Sequence, residues 1–278
     1  MIKKIIITLA LMGLILQADL KAQPQYPLLS PGATVSQMIG ITKVTVTYHR
    51  PGVKGRLIWG DIVPFNKVWR AGANEATTIE FSTDVLIEDK KIPAGKYSFF
   101  ILLENGGKDA TLILNTEADQ WGSYNYDKAK DILRVKVKPE YLEHEEWLMY
   151  TFENLTNYFA NLRMHWEDFA LSLPITVETD KFVLEGARMA KGWKEKMNAA
   201  KYCLENEVAI DEGNKWINES VSEERNYWNL SLLAQFQAKD GKMQTAIKTM
   251  EEALDLGNKM DKKPSNLEKM KTLMENWM

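Results

Sequence analysis

The hydrophobic period of this chain changes once, between Val177 and Asp180, and that single change constrains the fold more than any other feature. From Ala33 to Val177 the apolar residues recur every second position. Val44, Val46 and Tyr48 alternate with Thr45, Thr47 and His49, and Tyr158, Ala160, Leu162, Met164 and Trp166 alternate again, as do Phe169, Leu171, Leu173, Ile175 and Val177. Alternation of this length describes strands with one face buried. The shorter apolar runs Thr77–Phe81, Val85–Glu88, Tyr97–Leu103, Thr111–Leu114, Leu133–Val137 and Trp147–Phe152 lie between these segments. They are parted by turn chemistry such as Pro93-Ala94-Gly95 and Asn105-Gly106-Gly107. Roughly nine or ten strands without intervening helices predict an antiparallel β-sandwich, jelly-roll-like in character, over 23–178.

Beyond Thr179 the spacing is helical. Ala190, Trp193, Met197, Ala200 and Leu204 share one helix face, and Met243, Ala246, Ile247, Met250, Ala253 and Leu254 share another. Ser265 and Glu268, just behind Pro264, have the spacing of a capping box that opens a last helix striped by Leu267, Met270, Leu273, Met274 and Trp277. About five helices are expected over 179–278. The segment Ala238–Leu254 resembles the second half of a tetratricopeptide repeat, with Gly241 ending one helix and Ala246, Met250 and Ala253 at packing positions. A fainter copy around Gly213, Ile217 and Ser220 lies near one repeat length upstream, ~34 residues. The fold class is therefore α+β in two segregated parts. Helical pairs of this type present a groove to a peptide or protein partner, the alternative being an appendage that packs on the sandwich or mediates dimerisation.

Two lysines, Lys3 and Lys4, precede an apolar run from Ile5 to Leu16, and a polar stretch follows to Ala22. This order is that of a secretory signal peptide, expected to span 1–22. The run falls short of the roughly 20 apolar residues that a membrane-spanning helix needs. The expectation is export to the periplasm or cell envelope, with no membrane span once the signal is removed. A net charge of −3 argues against nucleic acid, which requires a basic face. One cysteine cannot close an intramolecular disulfide, three scattered histidines suggest no metal site, and no motif implies a cofactor.

Two clusters carry candidate binding chemistry. The first runs from Arg50 through Lys54, Arg56, Trp69, Arg70 and Asn74 to Glu75. Guanidinium groups make bidentate hydrogen bonds to carboxylates and phosphates, so an anionic ligand suits this segment. The alternative is that Arg50 or Arg70 pairs with Glu75 while the tryptophans pack in the core. The second cluster centres on Trp121 and Tyr124, where aromatic rings beside small polar residues suit a carbohydrate, the alternative being buried aromatic anchors of a long loop. Glu75 with Asp119 or Asp127 is the carboxylate set that a hydrolase would draw on. No nucleophile elbow or glycine-rich phosphate loop is present, so a non-catalytic binding protein is the leading expectation. An envelope hydrolase and a purely structural module are its rivals.

The stretches Tyr48-x-Arg50-Pro51-x-x-Lys54-Gly55-Arg56 and Val68-Trp69-Arg70-x-Gly72-Ala73-Asn74-Glu75-Ala76-Thr77 carry a resemblance to a known family. Pro93–Tyr97 and Ala118–Gly122 add to it. Over roughly residues 30 to 175 the chain resembles the family catalogued as domain of unknown function 2911, found mainly in Bacteroidetes. The resemblance implies a cell-envelope protein and brings no activity with it.

Overall fold

A computed structural model describes residues 26–278; the expected signal segment lies outside the described residues. Eleven strands are followed by six helices. The strands are β1 (Gly32–Ile39), β2 (Thr42–His49), β3 (Val68–Trp69), β4 (Thr78–Phe81), β5 (Val85–Ile87), β6 (Lys90–Ile92), β7 (Gly95–Glu104), β8 (Asp109–Asn115), β9 (Asp131–Val137), β10 (Glu140–Glu153) and β11 (Phe159–Thr176). All of the pairings are antiparallel. Seven strands form one sheet in the order β1-β2-β4-β7-β8-β9, with β3 beside β7, and the order β10-β11-β5-β6 forms the other. Val46, Ile79, Phe99 and Leu112 from the first sheet bury against Tyr150, Leu162, Met164 and Leu173 from the second in one core. This is the sandwich that the alternation predicts, with β6 and the two-residue β3 too short to register as periods.

The two alternating runs around Trp166 and Phe169 belong to a single 18-residue strand, β11. Ala160, Leu162, Met164 and Trp166 face the core on even numbers, and Phe169, Leu171, Leu173 and Ile175 do so on odd ones. Between them Glu167 takes φ 57°. One irregular residue shifts the parity of everything after it, so both halves keep their apolar side inward.

The helices are α1 (Thr179–Ala187), α2 (Trp193–Asn206), α3 (Ile210–Glu223), α4 (Tyr227–Lys239), α5 (Met243–Asn258) and α6 (Leu267–Glu275). Helix α2 packs chiefly on α3, and α4 on α5. Gly213 sits where a Cβ would come within 2.7 Å of Cys203 Cβ and 3.0 Å of the Phe236 ring, so the close approach of α3 to its neighbours needs a residue without a side chain. Ile217 and Ser220 in α3 are buried, as are Ala246, Met250 and Ala253 in α5.

The capping box expected at Ser265 and Glu268 does not form. Helix α6 begins one residue later, after Asn266, with no side-chain cap. The reciprocal box instead opens α4, where the Asn226 and Asn229 side chains each accept the other's backbone N–H. The two parts of the molecule meet at Asp180, whose carboxylate accepts from Tyr158 Oη at 3.0 Å and Tyr202 Oη at 2.5 Å. No helix among the described residues is long and apolar enough to cross a membrane.

Candidate functional site

Between β2 and β4 the chain leaves the sheet for the excursion Arg50–Thr77, which contributes only β3 to the ladder. Backbone hydrogen bonds dock its first part on β10: Val53 N donates to Glu146 O at 2.8 Å, and Leu148 N donates to Pro51 O at 3.1 Å. Arg50 serves this docking. Its Nε donates to Leu148 O at 2.9 Å, which ties β2 to the opposite sheet and commits the guanidinium to structure.

The second part, Arg70–Ala76, is a tightly held loop. Thr77 N closes it on Arg70 O at 3.1 Å, and Ala71 O accepts from both Thr77 Oγ1 at 2.9 Å and the buried Tyr150 Oη at 2.7 Å. Burial holds the Tyr150 phenol in its protonated, donating form by raising its pKa well above the ordinary value. Trp69 Nε1 donates to Gly72 O at 3.1 Å, and Asn74 Nδ2 to Ser30 O at 3.2 Å. Ala71 and Asn74 take left-handed φ values of 53° and 56°, conformations sustained by this dense bonding. At Gly72 a Cβ would lie 2.8 Å from Thr77 Oγ1, so only glycine fits.

The loop separates two clefts. The first, of about 430 Å³, is lined by Lys54, Arg56, Arg70 and Asn74, with Trp69 and Trp166 also contributing. No acidic side chain lines it. Among the described residues none of its three cations approaches a carboxylate within 4.0 Å. Arg56 spends part of its fork on Gly52 O at 2.6 Å and Val53 O at 3.1 Å. Lys54 Nζ lies 5.5 Å from the Trp147 ring centroid. Arg70 is different: its Nε is buried and has no hydrogen-bond partner. Burial lowers the pKa of this guanidinium, with nearby Tyr124 acting in the opposite direction, yet an arginine remains charged. The indole Nε1 of Trp166 is likewise buried and unbonded. Trp166 stacks on Trp69 with centroids 5.9 Å apart, which fixes the cleft floor.

The second cleft, of about 400 Å³, lies across the loop and is lined by His49, Glu75, Lys96, Asp119, Gln120 and Trp121, among others. Glu75 pairs with His49 Nδ1 at 3.3 Å, and Asp119 with Lys96 Nζ at 3.3 Å. Neither Arg50 nor Arg70 meets Glu75, so the expected internal pairing does not form. The loop and the Trp121 segment are joined by a β-bridge between Glu75 and Trp121 and by Ala76 N donating to Gln120 O at 2.9 Å. Asp127 stands apart from both clefts, capping a short 3₁₀ turn by accepting from Ala129 N at 2.9 Å. Of the carboxylates proposed for a hydrolase, only Glu75 and Asp119 therefore share a cleft. Tyr124 is 84% exposed on the surface.

Thus Lys54, Arg56, Trp69, Arg70 and Asn74 converge on one cleft, Glu75 and Trp121 on the other, and Arg50 on neither. Sequence reasoning missed Trp166 and Gln120. Trp166 was visible as an inward position of an alternating strand, but nothing in that pattern marks an indole N–H without a partner. Among the described residues no group of His, Cys, Asp and Glu is arranged to hold a metal ion. In the helical part, Met197, Lys201, Trp228, Gln235, Lys269 and Met270 line a groove of about 270 Å³ formed by α2, α4 and α6.

No curated protein and no solved structure matches this chain. The family described as "Protein of unknown function (DUF2911)" matches residues 30–175, which spans the sandwich from just before β1 to the end of β11 and covers just over half of the chain. The protein belongs to the DUF2911 family.

Proposed function

We propose that this is an exported cell-envelope protein whose β-sandwich binds a small anionic ligand without catalysing a reaction on it, and whose helices engage a partner. One observation carries the ligand reading: the first cleft gathers Lys54, Arg56 and Arg70 with no acidic side chain in its lining. Cations clustered without counter-charges repel one another, so their arrangement is stabilised when an anion arrives. Arg70 and Trp166, both in the cleft lining, also keep a buried donor without a partner, Nε and Nε1. Export is supported by the charge and apolar order of residues 3–22. Partner binding is supported by the groove between α2, α4 and α6.

The test is a thermal-shift and calorimetric panel of inorganic phosphate, sugar phosphates and small carboxylates on the purified protein and on Arg70→Gln. A binding anion at about 100-fold its Kd adds roughly 2.7 kcal/mol of stability. That gain should disappear in Arg70→Gln. A panel without any response, or an Arg70→Gln protein that responds as well as the wild type, refutes the reading.

A further inference from the structure

The second cleft has a different character from the first, and the geometry points to a neutral sugar ring as its occupant. Trp121 is 60% exposed, on a segment whose backbone is tied to the loop on either side of it. It is bridged to Glu75, and the flanking amides tie the same segment to the loop, Gly122 N donating to Asn74 O at 3.1 Å. A large aromatic ring displayed to solvent on a rigid backbone is a platform whose ordering cost is already met. The stacking partner must be flat and apolar on one side. A pyranose meets that condition with its C–H face, and it carries hydroxyl groups around its rim.

The groups around Trp121 match such a rim. Glu75 pairs with the His49 imidazole and Asp119 with the Lys96 ammonium, leaving carboxylate lone pairs to accept from hydroxyls. Gln120 backs the same lining. Its side chain is only 7% exposed, its Nε2 is committed to Glu117 O at 2.8 Å, and its Oε1 has no hydrogen-bond partner. Because the nitrogen is held, the amide orientation is set and the oxygen is the atom left over. Hydroxyl groups donate and accept together, so they suit a wall that alternates carboxylate, imidazole and ammonium. An anion would meet two carboxylates here, and a purely apolar ligand would strand all of these groups. The first cleft has no acidic residue and the second has two, so one loop divides an anion site from a site for an uncharged polyol.

This inference does not depend on the anion reading, and the experiment keeps them apart. The methyl glycosides of glucose, galactose and N-acetylglucosamine, with their β-linked disaccharides, are titrated into the full protein by calorimetry and saturation-transfer NMR. At least one sugar should bind, with transfer strongest to its C–H face. Trp121→Ala should weaken that binding roughly three- to tenfold, the scale of one lost aromatic contact. Trp121→Tyr should retain most of it, and Glu75→Gln should weaken it without changing the melting temperature. Arg70→Gln, which removes anion binding, should leave sugar affinity within twofold. If no sugar in the panel binds, or if binding survives Trp121→Ala unchanged, the proposal fails. Should Trp121→Ala misfold, Glu75→Gln decides the matter, and wild-type sugar affinity in that variant overturns it.

Discussion

The identity of a residue in this molecule says less than the acceptors within its reach. Arg50, Arg56 and Arg70 belong to one cationic segment, and in sequence they are equals. Carbonyls of β10 claim Arg50, carbonyls of its own turn claim part of Arg56, and Arg70 keeps a buried N–H free. Those β10 carbonyls lie nearly a hundred positions along the chain from Arg50, so local spacing could not sort the three. Tyr150 shows the same dependence in reverse. It arises from an ordinary strand, yet its hydroxyl holds Ala71 O and so positions the residue beside Arg70. Tyr150→Phe removes one buried hydrogen bond while Thr77 Oγ1 still serves that carbonyl, so the expected loss is about 1 kcal/mol in urea unfolding. Anion affinity should fall with it by a fewfold as the loop loosens. A stability loss with unchanged affinity would show that Tyr150 does not position the cleft.

At the scale of elements, much of the fold was legible because period reports burial directly. The alternation of β2 and both registers of β11 are plain in the sequence; the joining of those registers through Glu167 is not, since it depends on a single backbone angle. The helical spacing of α5 was equally clear. The cap of α6 was misplaced because the Ser265 and Glu268 pattern competes with the turn behind Pro264, and the helix starts after Asn266 instead. The joint between the two parts was invisible for a similar reason: Tyr158, Asp180 and Tyr202 belong to three separate segments and meet only in the folded chain. Asp180→Asn keeps the size of that side chain and removes its charge, weakening two hydrogen bonds to a carboxylate. Limited proteolysis should then cut faster between Glu178 and Gly192, with β-sheet amide protection unchanged. Equal cutting rates in the variant and the wild type would mean that this joint does not restrain the helices.

For the whole molecule, acid is the condition that should separate the two parts. In the helices, Glu207, Glu212, Glu219, Asp240 and Glu252 have pKa values below the ordinary carboxylate value, each chiefly through a hydrogen bond from a lysine or arginine. In the sandwich only Asp84 and Asp109 are lowered in this way. A carboxyl whose folded pKa is depressed stabilises the fold above its unfolded value, near 4, and loses that contribution as pH falls through the folded value. Each exposed pair contributes little, but five act on one set of helices. Between pH 5 and 3, roughly, hydrogen exchange should therefore accelerate in α2–α5 before β7 and β8; the opposite order would refute this account. The seven-residue strip from Arg70 to Ala76 has a separate consequence. Two occupants pressing on its opposite sides would be thermodynamically linked: whatever factor the anion imposes on sugar affinity, the sugar must impose on anion affinity. Titrating the sugar with and without the anion measures that factor, and a factor of one would mean that the strip insulates one occupant from the other.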